Sequence, residues 1–121
     1  MKILAFILTL FVAFSHVGIL ILEMFYWNHP IGQRIFVMTP EEAAASEVLA
    51  MNQGLYNGFL AAGLFWGALK SQFDFIVFFL VCVIVAGIFG SATAKFTILF
   101  TQALPALLAL AAVLMSREKF K

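Results

Sequence analysis

The sequence predicts an all-α integral membrane protein: a four-helix antiparallel bundle in one domain, residues 1–121, with a structured outer loop between helices 1 and 2. Three observations predict it. The chain is 64% hydrophobic and only 11% charged, where a soluble domain carries about 25% charged residues; its mean hydropathy is +1.09. Four segments, about 3–27, 48–69, 75–92 and 96–115, approach the roughly 20 mostly apolar residues that cross a bilayer. The linkers 70–74 and 93–95 are so short that consecutive helices must be antiparallel neighbours.

The first span follows Lys2 and an apolar run, a beginning shared with secretory leaders. The run is long, so it is expected to persist as a span. Beyond it lies the loop 28–47. Thr39-Pro40-Glu41-Glu42 has the form of a helix start, with Thr39 as N-cap, Pro40 in the first helical position and Glu42 closing a capping box. The second helix is then expected to run from Pro40 to Leu69. Thirty such residues reach about 45 Å, against roughly 30 Å of hydrocarbon. The excess, about ten residues, would project from the outer surface. The segment 28–38 carries Ile31, Ile35, Phe36, Val37 and Met38, enough apolar surface to lie against the membrane or cap the bundle.

In the third span, Gly87 and Gly90 are expected to end the helix or pack tightly. Cys82, the one cysteine, has no intrachain partner and is expected to pack as a small hydrophobe. In the fourth, Pro105 removes a backbone donor and frees a carbonyl near Thr101 and Gln102, which adds an acceptor or a kink.

Four spans place both termini on one side. That side holds Lys2, Lys70, Arg117, Lys119 and Lys121, whereas the other holds Arg34 and Lys95. The excess of cations predicts cytoplasmic termini. A net charge of +1 excludes the basic patch that nucleic-acid binding requires, and the expected partner is the lipid bilayer itself.

Polar residues on the spans are the candidates for function, because a charged group in hydrocarbon costs roughly 2.5–3.5 kcal/mol. At 100° per residue, Thr9, His16, Glu23 and Trp27 fall on one stripe of the first helix. On the second, Asn52, Gln53, Tyr56 and Asn57 share an arc with Gly63 and Gly67. The opposite arc, Met51, Leu55, Phe59, Ala62, Phe65, Trp66 and Leu69, should face lipid. Gln102 enters on the fourth beside Pro105, Ala106 and Ala109. Three helices thus bring polar side chains to similar depth, and in lipid these must satisfy one another, backbone or water. The expected ligand-binding set is Glu23, Asn52, Gln53, Tyr56, Asn57 and Gln102. His16 and Glu23 are the candidates for acid–base chemistry, with Asn57 the expected partner of His16. The bland reading of each is a satisfied intrabundle histidine and an interfacial carboxylate reaching for water. His16 and Glu23 lie two turns apart, roughly 10 Å, too far to share one ion, so no metal and no cofactor are expected. His29, before Pro30, reads as a solvated loop residue.

Gly54-x-x-x-Gly58 and Gly63-x-x-x-Gly67 permit close helix approach. Packing within one bundle is the simple reading, and a homo-oligomer interface through Gly54, Gly58, Gly63 and Gly67 is the alternative. No Walker loop, nucleophile elbow, His-Glu-x-x-His or dinucleotide fingerprint occurs, and whether the protein is an enzyme stays open.

His16-Val17-Gly18, Glu23-Met24-Phe25-Tyr26-Trp27, the run Asn52-Gln53-Gly54-Leu55-Tyr56-Asn57-Gly58-Phe59-Leu60-Ala61-Ala62-Gly63, Gly87-Ile88-Phe89-Gly90 and Gln102-Ala103-Leu104-Pro105-Ala106 together resemble a bacterial family catalogued as domain of unknown function 1304. The resemblance runs over all four spans. It implies a small four-span protein, multi-pass in the bacterial cytoplasmic (plasma) membrane, and implies no reaction.

Three functional readings follow. The first is a binder of, or enzyme acting on, a small hydrophobic or amphipathic molecule through the outer-leaflet polar cluster. The second is a proton-coupled exporter of small multidrug type, similar in length and span number, working as a dimer. The third is a structural or accessory subunit in which the polar residues only set helix register.

Overall fold

The computed structural model describes residues 2–118, and among them there is no strand. Helix α1 spans Ile3–Phe25, α2 Pro30–Ile35, α3 Pro40–Leu69 and α4 Phe73–Thr93; a π-helical turn, Leu99–Ala103, then leads into α5, Leu104–Glu118. The expected α3 is matched at both ends, and the other spans shift by a few residues. Three stretches are long and apolar enough to cross a membrane: Ile3–Phe25, Phe73–Thr93 and Leu99–Arg117. α3 has the length but carries Glu47, Asn52, Gln53 and Asn57, and does not join them on composition. Lys119 and Lys121, which entered the charge count above, lie outside the described residues.

The chain forms two compact units, Met1–Phe14 with Leu60–Lys121, and Ser15–Phe59. In the first, four helical stretches share one core of Ala5, Val12, Ala13, Leu64, Ile76, Leu80, Val83, Ala106, Ala109 and Val113. On α4 the buried positions Ile76, Leu80, Val83 and Gly87 follow steps of four, three and four, the seam of helices packed nearly parallel to their neighbours. Small residues let the backbones close in. A Cβ on Gly67 would meet Ile76 Cγ1 at 2.8 Å, and one on Gly87 would meet Ala103 N at 2.8 Å. Gly63 faces the Phe79 ring. These contacts run α3 against α4 and α4 against the π turn in antiparallel sense. Gly87 therefore packs tightly and does not end α4, which continues to Thr93. At the far end Arg117 lies 4.1 Å over the Phe73 ring and 3.8 Å from Asp74. Outward, Phe11, Phe78, Phe89, Leu107 and Leu108 are exposed. Apolar surface of that extent is a liability in water and ordinary against hydrocarbon.

Pro105, where a free acceptor or a kink is expected, is preceded by a different irregularity, a π turn. Without its N–H the ladder cannot continue regularly, and the chain widens by one residue per turn: Leu104 N–H donates to the Leu99 carbonyl, five residues back.

In the second unit the capping box forms as expected. Thr39 N–H donates to Glu42 Oε2 at 2.9 Å and Glu42 N–H to Thr39 Oγ1 at 3.1 Å. His29 is exposed and outside the helices, as expected, and it also caps α2: its Nδ1 accepts from Ile31 N–H at 3.1 Å. Both α2 and α3 end in Schellman motifs without glycine. Met38 N–H reaches Gln33 O and Gln72 N–H reaches Gly67 O, with Val37 (φ 54°) and Ser71 (φ 52°) in the left-handed position.

Candidate functional site

The site begins with the register of two helices in the second unit. On α1, His16 and Glu23 are seven residues apart and both buried, at 1% and 8% exposure. They continue a seam that Thr9, buried in the first unit, shares by the same seven-residue step. Thr9 spends its hydroxyl within its own helix, donating to Ala5 O at 2.7 Å. On α3 the buried positions are Ala43, Ala50 and Gly54, and three residues on from Gly54 the seam reaches Asn57. Gly54 brings the helices together: a Cβ there would meet Met24 Cγ at 2.6 Å, Glu23 Cβ at 3.1 Å and the Leu20 carbonyl at 3.2 Å. One turn on, a Cβ on Gly58 would meet Leu20 Cδ1 at 2.6 Å.

That close approach sets the central contact. Asn57 Nδ2 donates to Glu23 Oε1 at 2.6 Å and also to the Gln53 carbonyl, one turn back, at 3.2 Å. The amide is therefore held by its own helix while it serves the carboxylate of the neighbouring one. A hydrogen bond to a carboxylate is shorter and stronger than one between neutral groups.

The structure draws in fewer residues than expected. Of the predicted ligand-binding set, Glu23 and Asn57 meet. Asn52, Gln53 and Tyr56 expose their side chains. Gln102 lies in the other unit, partly buried within the π turn. Asn57, expected to partner His16, gives its hydrogen bonds to Glu23 and Gln53. The physical reason is angular: Asn52, Gln53 and Tyr56 are one or two residues out of step with the seam through Gly54 and Asn57, and each residue turns the helix by about 100°. The four glycines all face intrachain neighbours: Gly54 and Gly58 meet α1, Gly63 and Gly67 meet α4.

Above the pair, α1 gives way to a polar clasp that sequence reasoning missed. Trp27 Nε1 donates to Ser46 Oγ at 2.9 Å, and Ser46 Oγ donates to Glu42 O at 2.7 Å. Asn28 Nδ2 donates to Glu47 Oε2 at 3.3 Å, and Gln33 Nε2 to Asn28 Oδ1 at 3.2 Å. The Trp27 ring rests against Phe36, centroids 4.7 Å apart. The aromatic residue at the end of an apolar span was the available signal; its partner nineteen residues on was not. Gly32 packs against the Tyr26 and Trp27 carbonyls, where no side chain fits. Among the described residues no group of three His, Cys, Asp or Glu side chains gathers to hold a metal ion.

These features define a small all-helical protein with three helical stretches fit to span a membrane and a carboxylate–amide pair between α1 and α3. The chain belongs to the family described as protein of unknown function (DUF1304), whose pattern matches residues 10–114. It is 37% identical over 114 residues to the "Uncharacterized protein YpaA" of Lactococcus lactis subsp. lactis (strain IL1403), covering 91% of this chain and 96% of that one. No solved structure matches it.

Proposed function

We propose that this is a four-span membrane protein that holds the polar end of a small amphipathic molecule at the Glu23–Asn57 pair. In this reading α3 crosses as the fourth span, both termini face the bacterial cytoplasm, and the α2 loop faces outward. The observation that carries it is the setting of Glu23. Glu23 is buried as a residue, 8% exposed, in the last turn of an apolar helix, and Asn57 donates to its carboxylate. That position is unfavourable twice over. Burial strips water from the charge, and the carbonyl end of a helix repels an anion. One amide offsets part of this cost. An ionised carboxylate offers about four acceptor sites, so a ligand bearing N–H or O–H donors, best an ammonium, offsets more.

Two other readings rank below it. A structural subunit needs only register, and a neutral Gln–Asn pair would hold the same helices together without burying a charge. A proton-coupled exporter of small multidrug type places its acid in mid-membrane, whereas Glu23 lies at the end of α1. For catalysis, His16 at 1% exposure is closed to a substrate, which favours binding over reaction.

The test is to isolate the wild type, Glu23→Gln and Asn57→Leu in native lipid particles and compare their bound small molecules by mass spectrometry. The expected result is an amphiphile with a donor head that is enriched on the wild type and lost from both variants. Equal small-molecule content on three folded proteins would overturn the reading.

A further inference from the structure

α3 carries a second seam, on the side turned away from Gly54 and Asn57. Ala45, Leu49, Asn52, Tyr56 and Phe59 step by four, three, four and three residues and all are exposed. Leu49 is 73%, Tyr56 56% and Phe59 54% exposed. At 100° per residue this seam lies about 140° from the buried one. Gln53, which follows Asn52 and lies to one side of the seam, is also exposed. The Tyr56 and Phe59 rings rest on each other, centroids 5.9 Å apart. A 3.5-residue repeat with one amide among apolar and aromatic side chains is the pattern of a helix that packs on a like helix, the amide selecting partner and register.

We infer that this seam is the contact between two copies of the chain, with α3 packed on the α3 of a second copy about a two-fold axis along the membrane normal. The inference rests on the reading of α3 as the fourth span. Asn52 lies 17 residues from Leu69, about 25 Å along the helix, still within the roughly 30 Å of hydrocarbon. Lipid tails offer its side-chain amide no hydrogen bond. A second copy does. All copies share one orientation in the membrane, so the axis makes the two α3 helices parallel and sets each Asn52 against its symmetry mate. An amide both donates and accepts, so the pair is self-complementary, as a two-fold interface requires. The seam holds no charge from Ala45 to Phe59. Glu41 continues it at the aqueous start of α3, where salt screens like charges. Gly54, Gly58, Gly63 and Gly67 meet neighbours within the chain, and of the exposed sides of α3 this seam is the one that sets an amide among apolar side chains at a 3.5-residue repeat.

Disulfide scanning tests it. In a Cys82→Ser background, single substitutions Leu49→Cys, Asn52→Cys, Tyr56→Cys and Phe59→Cys are compared with Met51→Cys, Leu55→Cys and Ala62→Cys, oxidised in native membranes. A disulfide needs Cα atoms roughly 4.4–6.8 Å apart, so the seam set should cross-link to dimer and the comparison set should not. Absence of dimer at every position, or equal dimer at all seven, would overturn the proposal. Subunit exchange between lipid vesicles gives a second readout. Asn52→Leu with Gln53→Leu should weaken the dimer about tenfold, and an unchanged dimer would count against the amide's role. Glu23→Gln should leave dimerisation intact, so failure of the ligand reading and failure of this one are separable. Labelling of Phe59→Cys by a membrane-impermeant maleimide would remove α3 from the bilayer and overturn both the span and the interface.

Discussion

Asn57 Nδ2 stands 2.6 Å from Glu23 Oε1 because residue 54, one turn earlier on the same helix, has no side chain to hold the two helices apart. The polar contact and the small-residue contact are one device. The glycine sets the separation at which the amide reaches the acid, and the acid is what makes that separation worth keeping.

Removing one member of the pair should cost more than removing both. Asn57→Leu strips Glu23 of its donor and is expected to destabilise by about 1–3 kcal/mol, the range for a buried group left unsatisfied. Glu23→Gln keeps an acceptor oxygen and should stay within about 1 kcal/mol of the wild type. The double variant Glu23→Leu with Asn57→Leu should recover part of the single loss. Reversible unfolding in mixed micelles, analysed as a double-mutant cycle, checks the ordering.

Two glycines of α1 and α3 should respond in opposite ways. Gly18 meets nothing within 4 Å at its Cβ position, so Gly18→Ala should be tolerated and add up to about 1 kcal/mol of helix stability. Gly54→Val must push against Met24, Glu23 and the Leu20 backbone carbonyl, and backbone does not yield. A loss of about 1–3 kcal/mol is expected, together with loss of the Asn57 contact. Solvent protection of the Asn57 side-chain amide by NMR reports the second effect directly.

The loop offers another pair of opposite signs. Thr39→Ala removes the hydroxyl that receives Glu42 N–H and should cost about 1 kcal/mol. Val37 holds a left-handed φ of 54°, a conformation disfavoured for a β-branched residue. Val37→Gly should therefore raise stability by about 1 kcal/mol. Hydrogen exchange at the first turn of α3 should speed up in the one variant and slow down in the other.

The widened turn before α5 rests on Pro105 and on Gly87 opposite. Pro105→Ala supplies an N–H for the Thr101 carbonyl and is expected to regularise the π turn, seen as a newly protected amide at residue 105. Gly87→Leu places a side chain on the Ala103 backbone, 2.8 Å from its nitrogen, and should abolish folding of the α4–α5 pair. The groove lined by Ile84, Ile88, Leu99, Phe100, Ala103, Leu104 and Leu107, about 260 Å³, should shrink in Pro105→Ala.

Most of the helices were legible because their signals are local. Thr39, Pro40 and Glu42 wrote the start of α3 into four consecutive residues, and Pro105 announced an irregular turn. The end of α2 was not legible, because its Schellman motif sets Val37 where glycine is the usual marker, whereas α3 ends at Leu69 as expected. The candidate site was half legible. Glu23 and Asn57 stood out as polar residues on apolar spans, but Asn52, Gln53 and Tyr56 stood out for the same reason and turn the other way. A one- or two-residue difference in register cannot be read from polarity; it is decided by which neighbour Gly54 admits. The Trp27–Ser46 clasp was not legible at all, since nothing local to either residue names the other.

The buried seam of α3 descends through Ala43, Ala50, Gly54, Asn57, Ala61, Leu64 and Ala68 without a break in its step. One residue inserted anywhere in that stretch would turn every later position by about 100°, carrying Asn57 or Leu64 out to the exterior. Evolution therefore has substitution but not insertion or deletion at its disposal between 43 and 68. Length variation among relatives is expected to collect in the segments 26–38 and 94–98, where a loop absorbs it. A gap-free α3 across divergent family members would be the historical trace of the same geometry that brings an amide to an acid.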